Sequence, residues 1–187
     1  MLELTKIASG TWTLADPRNY RGATLAGAGT LQVSGTITTT NFLIVSNTAT
    51  LGLPGIVRAN TVQINSGGTL TGCGAINGNL LNNGTALANC GATLAISGNL
   101  TNNGTMELIS GSGLSMSRIF VNNGLLDVLT GAQNLPRNLF NYRTVLLATN
   151  IVVTSFTKAS GVFNLSIQGY GGHSFQLQRT TAVAPTS

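Results

Sequence analysis

The tripeptide Asn-Asn-Gly occurs three times in this chain at a constant spacing of 20 residues. Its copies are Asn82-Asn83-Gly84, Asn102-Asn103-Gly104 and Asn122-Asn123-Gly124. A unit of about 20 residues is too short to bury an apolar core of its own, so each unit has to stack on its neighbours. The repeat therefore predicts a solenoid, whose function has to be sought on the sides and ends of a rod.

The period extends beyond these three copies. Four triplets that begin with asparagine recur at steps of 19, 19 and 20 residues: Asn41-Phe42-Leu43, Asn60-Thr61-Val62, Asn79-Leu80-Leu81 and Asn99-Leu100-Thr101. A second series pairs threonine with an apolar residue: Thr30-Leu31, Thr50-Leu51, Thr69-Leu70, Thr85-Ala86 and Thr105-Met106. The short apolar runs are rich in strand-forming residues, and no stretch keeps a helical period. The sequence therefore predicts an all-β chain with 19–20 residues per coil.

The second asparagine and the glycine of each tripeptide are predicted to form the corners of the coils, at Asn83, Gly84, Asn103, Gly104, Asn123 and Gly124. Both residue types tolerate the left-handed backbone angles that sharp corners between strands require. Because the corners recur at one phase, inward-pointing asparagines are expected to form hydrogen-bonded ladders along the axis. With an advance of about 4.8 Å per coil, the whole chain would make about nine coils.

The two cysteines fall at nearly the same phase of adjacent predicted coils. Cys73 follows Thr69 by four residues, and Cys90 follows Thr85 by five. Stacked positions would be about 4.8 Å apart, which is within the range that a disulfide bridges. We predict a disulfide that joins two coils in an oxidising compartment. The alternative is a pair of reduced thiols stacked in the core.

Charged residues make up only 7% of the chain, whose net charge is +5. Globular domains usually carry about a quarter charged residues, so Thr, Ser and Asn must cover much of this surface, as is typical of secreted proteins. The basic residues are scattered, with Arg18-Asn19-Tyr20-Arg21 as their densest group, whereas a nucleic-acid interface would need a denser patch. No apolar run is long enough to predict a membrane-spanning helix.

The beginning of the chain, from Met1 to Lys6, lacks the basic head and the long apolar core of a signal peptide. Either export information was removed from this sequence or the chain is not exported by that route.

The two ends of the chain differ in composition. We predict a solenoid array over residues 1–138, capping strands of the same domain over 139–179 and a flexible tail over 180–187. The capping segment is where aromatic residues become frequent: Phe140, Tyr142, Phe156, Phe163, Tyr170 and Phe175.

Three motifs occur in a fixed order near the beginning of the chain: Ser9-Gly10-Thr11-Trp12-Thr13-Leu14, Asn19-Tyr20-Arg21-Gly22-Ala23-Thr24 and Ala28-Gly29-Thr30-Leu31-Gln32-Val33. In this order they resemble the autotransporter-associated β-strand repeat, which runs G-T-W-T-L, a few residues, N-T-Y-x-G-x-T and then A-G-T-L-x-V. Segments 67–72, 74–79 and 91–99 resemble the terminal coils of autotransporter passengers, and 141–146 with 155–156 resemble their closing strands. One departure is Ala88-Asn89-Cys90-Gly91, which replaces the usual loop with Ala-Pro-Gly.

The resemblance implies a right-handed parallel β-helix that bacteria secrete or display on the cell surface. It also implies a non-enzymatic adhesin or a subunit of an extracellular fibre, without a cofactor. Its partners would be surface glycans, other cell-surface proteins or further copies of the chain joined end to end.

Two candidate sites point to other functions. Glu107 and Asp127 are 20 residues apart and so are expected on neighbouring coils, where two carboxylates could hydrolyse a glycoside or bind calcium. The alternative is that both are solvated surface residues. An enzyme on this fold would be a polysaccharide lyase or hydrolase, such as a tailspike-like depolymerase, and fold alone does not separate the two classes.

The remaining motifs are weaker. His173 is the only histidine and has no acidic neighbour for a catalytic relay, so we interpret it as a loop or cap residue. The run Thr36-Ile37-Thr38-Thr39-Thr40 would suit an ice-binding array only if its threonines recurred on other coils, and the equivalent positions hold mixed residues.

Overall fold

The structure is a computed structural model that describes residues 3–128, 130, 135–147, 152–159 and 162–168. The chain divides into two compact units, Met1–Ala148 and Thr149–Ser187. The described residues form strands that stack in parallel through about 7 turns, without a helix. This confirms the predicted all-β solenoid.

Each coil of the first unit contributes short strands to two parallel sheets. In chain order the strands are β1 (Leu4–Lys6), β2 (Thr11–Leu14), β3 (Arg18–Tyr20), β4 (Thr24–Ala26), β5 (Gly29–Val33), β6 (Thr36–Thr39), β7 (Phe42–Val45), β8 (Ala49–Gly52), β9 (Ile56–Ile64), β10 (Thr69–Thr71), β11 (Ala75–Asn82), β12 (Thr85–Ala88), β13 (Thr93–Ile96), β14 (Leu100–Asn102), β15 (Thr105–Leu108), β16 (Gly113–Met116), β17 (Phe120–Asn122), β18 (Leu125–Val128), β19 (Leu139–Asn141) and β20 (Val145–Leu147).

The 8-stranded sheet has the order β2-β5-β8-β10-β12-β15-β18-β20 and forms one side of the rod. The 12-stranded sheet forms the other two sides, because the long strands β9 and β11 each pair with one set of strands near their beginning and another near their end. Side chains alternate inward and outward along each strand. The inward leucines of adjacent coils therefore stack directly, as Leu31, Leu51 and Leu70 do, and each is fully buried.

The described part of the second unit is an antiparallel pair of strands, β21 (Val152–Ala159) and β22 (Val162–Gln168). This explains why the solenoid has about 7 turns and not the expected nine. An antiparallel hairpin adds no parallel coil. The parallel stacking itself continues through β19 and β20, which pair with β17 and β18, so the array extends past the predicted boundary at residue 138. The predicted tail over 180–187 lies outside the described residues.

The predicted alignment of the asparagine triplets was wrong by one residue in the later coils. Leu43 and Val62 align with Leu80 and Leu100, which are buried, and not with Leu81 and Thr101. The register shifts between Asn77 and Asn79, where β11 passes β9. A slip of one residue exchanges the inner and outer faces of a strand, so Leu81 and Thr101 face outward.

The first asparagine of each tripeptide points into the rod and forms an inner ladder. The Nδ2 of Asn82 donates to Oδ1 of Asn102 at 2.7 Å, and the same bond links Asn102 to Asn122 at 2.7 Å and Asn122 to Asn141 at 2.6 Å. The first three of these side chains are fully buried. This confirms the expected ladder of inward-pointing asparagines.

The second asparagine of each tripeptide forms an outer ladder that runs the other way. The Nδ2 of Asn103 donates to Oδ1 of Asn83 at 2.8 Å, and the Nδ2 of Asn123 donates to Oδ1 of Asn103 at 2.9 Å. The inner ladder thus donates toward the C terminus and the outer ladder toward the N terminus. The two neighbouring asparagines of one corner consequently have different environments.

We predict that Asn102→Ala lowers the free energy of unfolding by roughly 3 kcal/mol, because it leaves the buried amides of Asn82 and Asn122 without one partner each. The matched control is Asn103→Ala in the exposed outer ladder, which is expected to cost less than about 1 kcal/mol. Urea unfolding followed by circular dichroism measures both. Equal losses for the two variants would contradict the inner ladder's structural role.

Candidate functional site

The outward face of the 8-stranded sheet carries a continuous row of threonines. Each occupies the same register position of successive strands: Thr11, Thr30, Thr50, Thr69, Thr85 and Thr105. We call these six residues the threonine row. All are partly or fully exposed, because the residues that follow them in the strands after β2 point into the core.

The threonine row presents the same chemical group at each step of the rod. Parallel neighbours lie about 4.8 Å apart, which is too far for one hydroxyl to bond the next. None of the six hydroxyl groups takes part in a hydrogen bond among the described residues. Each therefore offers its donor, its acceptor and its methyl group to the surroundings.

A second outward row runs beside the first and is chemically mixed. It contains Thr13, Gln32, Gly52, Thr71, Leu87, Glu107 and Asp127. Only two coils, those with Thr11 and Thr69, therefore have threonine at both outward positions. The face is regular in one column and irregular in the next.

The structure brings the acidic pair together. Glu107 and Asp127 are direct register partners on β15 and β18, and both are half-buried on the outward face. Calcium takes six to eight oxygen ligands, of which two carboxylates supply at most four. Among the described residues, no group of three or more His, Cys, Asp or Glu side chains is close enough to hold a metal ion.

The structure joins Cys73 and Cys90 in a disulfide, with their Cα atoms 6.1 Å apart. Each cysteine follows a threonine of the row, and those threonines, Thr69 and Thr85, are register partners. The fully buried Ser112 of the next coil supports this staple. Its Oγ accepts hydrogen bonds from the backbone N–H groups of Cys90 and Gly91, both at 3.0 Å, and lies 3.7 Å from Sγ of Cys73.

We predict that reduction of this disulfide lowers the free energy of unfolding by about 3 kcal/mol, because the bond restricts the unfolded chain over a sequence separation of 17 residues. Denaturant unfolding with and without a reductant measures the difference. The control is the double variant Cys73→Ala with Cys90→Ala, whose stability should not respond to the reductant. A response in the control would mean that the reductant acts elsewhere.

The predicted corner residues lie at bends between the two sheets, but their glycines are required for a different reason than expected. Gly84, Gly104 and Gly124 are not among the described residues with a left-handed φ angle. A Cβ atom on Gly104 would overlap the carbonyl oxygen of Gly84, and one on Gly124 would overlap that of Gly104. Glycine is needed because the corners of successive coils touch, and the proposed left-handed angles were wrong.

The other candidate residues are not brought into one site. Thr36 and Thr38 face outward, but their register partners on the next coil are Ile56 and Arg58, so this side carries no threonine array. Thr39 is buried, and its hydroxyl donates to the carbonyl oxygen of Gly22. His173 lies outside the described residues.

Sequence reasoning missed two residues of the site. Thr11 belongs to the threonine row and precedes Thr30 by one coil, a spacing that was available, but Trp12 stood where the series has smaller apolar residues. Ser112 had no sequence signal, because its role depends on backbone groups of the coil before it.

No protein-family model matches the chain, and neither a curated protein nor a solved structure does. The part of the chain that the structure describes contains no helix long and apolar enough to cross a membrane.

Proposed function

We propose that this chain is a non-enzymatic structural and adhesive module of a bacterial secreted or cell-surface protein. The observation that carries the proposal is the threonine row, which runs along the 8-stranded sheet over six successive coils. The resemblance to the autotransporter-associated β-strand repeat supports the same class of function.

The threonine row suits a ligand that is itself repetitive and uncharged. Each hydroxyl and methyl group contributes a weak contact, and contacts that repeat on a rigid support add up through multivalency. A rod whose chain has only 7% charged residues attracts few ionic partners. A polysaccharide of the cell surface or its surroundings has the matching chemistry, with hydroxyl groups and apolar ring faces at a regular repeat.

The disulfide supports an extracellular location. Such bonds persist in oxidising compartments and are rare in the reducing cytosol. The Cys73–Cys90 bond joins adjacent coils near the middle of the array, where it would stabilise the rod against unfolding outside the cell.

The first coil supports self-association as a second mode of contact. Among the described residues, β1, β2 and β3 each pair with a single neighbour, so one edge of each strand is open. Trp12 is 45% exposed although its register partner Leu31 is fully buried. Pairing of this end with another copy would bury Trp12 and continue the backbone ladder, and unpaired edges favour such contacts.

The adhesive function predicts that the chain cosediments with an insoluble polysaccharide such as cellulose, chitin or peptidoglycan. Thr50→Glu combined with Thr69→Glu should weaken this binding at least about tenfold, because charge replaces two central contacts of the row. Thr38→Glu on another side of the rod is the control and should bind like the wild type. Equal binding by all three proteins would exclude the threonine row.

The end-to-end contact predicts that the purified chain forms rods longer than one molecule in electron micrographs. Trp12→Glu should leave single short rods, because it places a charge in the proposed contact. Filaments of unchanged length in this variant would exclude the first coil as the interface.

An enzyme that degrades polysaccharides is the alternative, and the direct pairing of Glu107 with Asp127 is the observation that favours it. Release of soluble sugars from the same polysaccharides by the wild type, but not by the double variant Glu107→Gln with Asp127→Gln, would establish it and overturn the non-enzymatic proposal.

A further inference from the structure

The outer ladder consists of asparagines that each precede a glycine. The steps are Asn83-Gly84, Asn103-Gly104 and Asn123-Gly124. Asn-Gly is the dipeptide in which the side-chain amide reacts most readily with the following backbone nitrogen, because glycine has no side chain to obstruct the approach. Asn103 and Asn123 are exposed, so water reaches both.

The reaction is deamidation through a cyclic imide. The backbone nitrogen of the glycine attacks Cγ of the asparagine, and a bond forms between these two atoms. The bond from Cγ to Nδ2 breaks, and ammonia leaves with the hydrogen that the glycine nitrogen has lost. Water then opens the imide at either carbonyl group and yields aspartate or isoaspartate. The net change is the replacement of ammonia by water, and no oxidant or other reagent is needed.

The first two steps of the outer ladder are held in an unreactive arrangement. Oδ1 of Asn83 and Oδ1 of Asn103 each accept a hydrogen bond from the next asparagine, at 2.8 and 2.9 Å. The attacking nitrogens are engaged too. The N–H of Gly84 donates to Oδ1 of Asn82 at 3.3 Å, and the N–H of Gly104 donates to the carbonyl oxygen of Asn82 at 3.1 Å.

The third step lacks both restraints. The coil after Asn123 has Tyr142 in the equivalent position, because Asn122 aligns with Asn141. Tyrosine there supplies no amide to Asn123, whose Oδ1 accepts no hydrogen bond among the described residues. Within the same described part of the chain, the N–H of Gly124 donates to no acceptor. Both reacting groups of this step are therefore free.

We propose that Asn123-Gly124 is a site of spontaneous deamidation, and that the bonds between coils protect Asn83 and Asn103. Exposure alone does not produce this order, because Asn103 is as exposed as Asn123 by class and yet is bonded on both sides. The proposal concerns the chemistry of the corner and does not depend on the proposed function.

Deamidation at Asn123 changes the end of the outer ladder. The Nδ2 that donates to Oδ1 of Asn103 is lost, and a carboxylate oxygen takes its place opposite another oxygen. Repulsion replaces a hydrogen bond, and the chain gains one negative charge against its net charge of +5. Asn103 then becomes the exposed end, so modification is expected to proceed along the ladder from Asn123 toward Asn83.

The experiment incubates the full chain at mildly alkaline pH and follows the three asparagines by peptide mass spectrometry. Each restraint has the size of one hydrogen bond, so deamidation at Asn123 should be at least about tenfold faster than at Asn83 or Asn103. In chain unfolded by urea the three rates should become similar, because the sequences Asn-Gly-Thr, Asn-Gly-Thr and Asn-Gly-Leu differ little. Similar rates in the folded chain would overturn the proposal.

A gain-of-protection variant gives the second test. Tyr142 is 69% exposed, so Tyr142→Asn should fold normally. It extends the outer ladder by one amide that can donate to Oδ1 of Asn123, and deamidation at Asn123 should slow about fivefold. Tyr142→Ala is the matched control, which removes the ring without supplying an amide and should not slow the reaction. Equal rates at Asn123 in these two variants would exclude the ladder as the protecting element.

Discussion

The parallel ladder between coils sets the conditions that every other feature of this rod has to meet. Backbone hydrogen bonds hold successive coils about 4.8 Å apart on all sides, and the corners have to follow the same spacing. At the Asn-Asn-Gly corners this leaves no room for a Cβ, since the carbonyl oxygen of one glycine occupies the place where the Cβ of the next would lie. Stacked backbone, and not unusual backbone angles, therefore makes glycine necessary at these positions.

The same spacing explains why asparagine enters the core at the tight corners. Two residues connect Asn82 to Thr85, whereas four connect Ile64 to Thr69. The longer link satisfies part of its own backbone, as in the hydrogen bond from the N–H of Gly68 to the carbonyl oxygen of Asn65 at 2.8 Å. The shorter link instead uses side-chain amides, with the Nδ2 of Asn82 donating to the carbonyl oxygen of Thr105 at 2.8 Å. Buried asparagine is tolerated because each of its bonding groups has a partner.

The threonine row and the disulfide show how much of the site could be predicted from the chain itself. Both depend on residues that keep one phase over adjacent coils, and parallel in-register stacking places such residues side by side. The pairing of Glu107 with Asp127 follows in the same way. The alignment of the asparagine triplets failed at Leu81 and Thr101, because β11 shifts its register against β9 and no local signal in the sequence marks that shift.

The sequence by itself determined the period, the all-β class and the outward position of five threonines, because each depends on the spacing of residues along the chain. Only the tertiary structure decided which asparagine of each pair points inward, in which direction the two ladders donate, and why Ser112 is buried beside the disulfide. These features arise from contacts between coils about 20 residues apart, where the available space and the unpaired backbone groups select the partner. Stacking thereby gives the two chemically identical asparagines of one corner different environments.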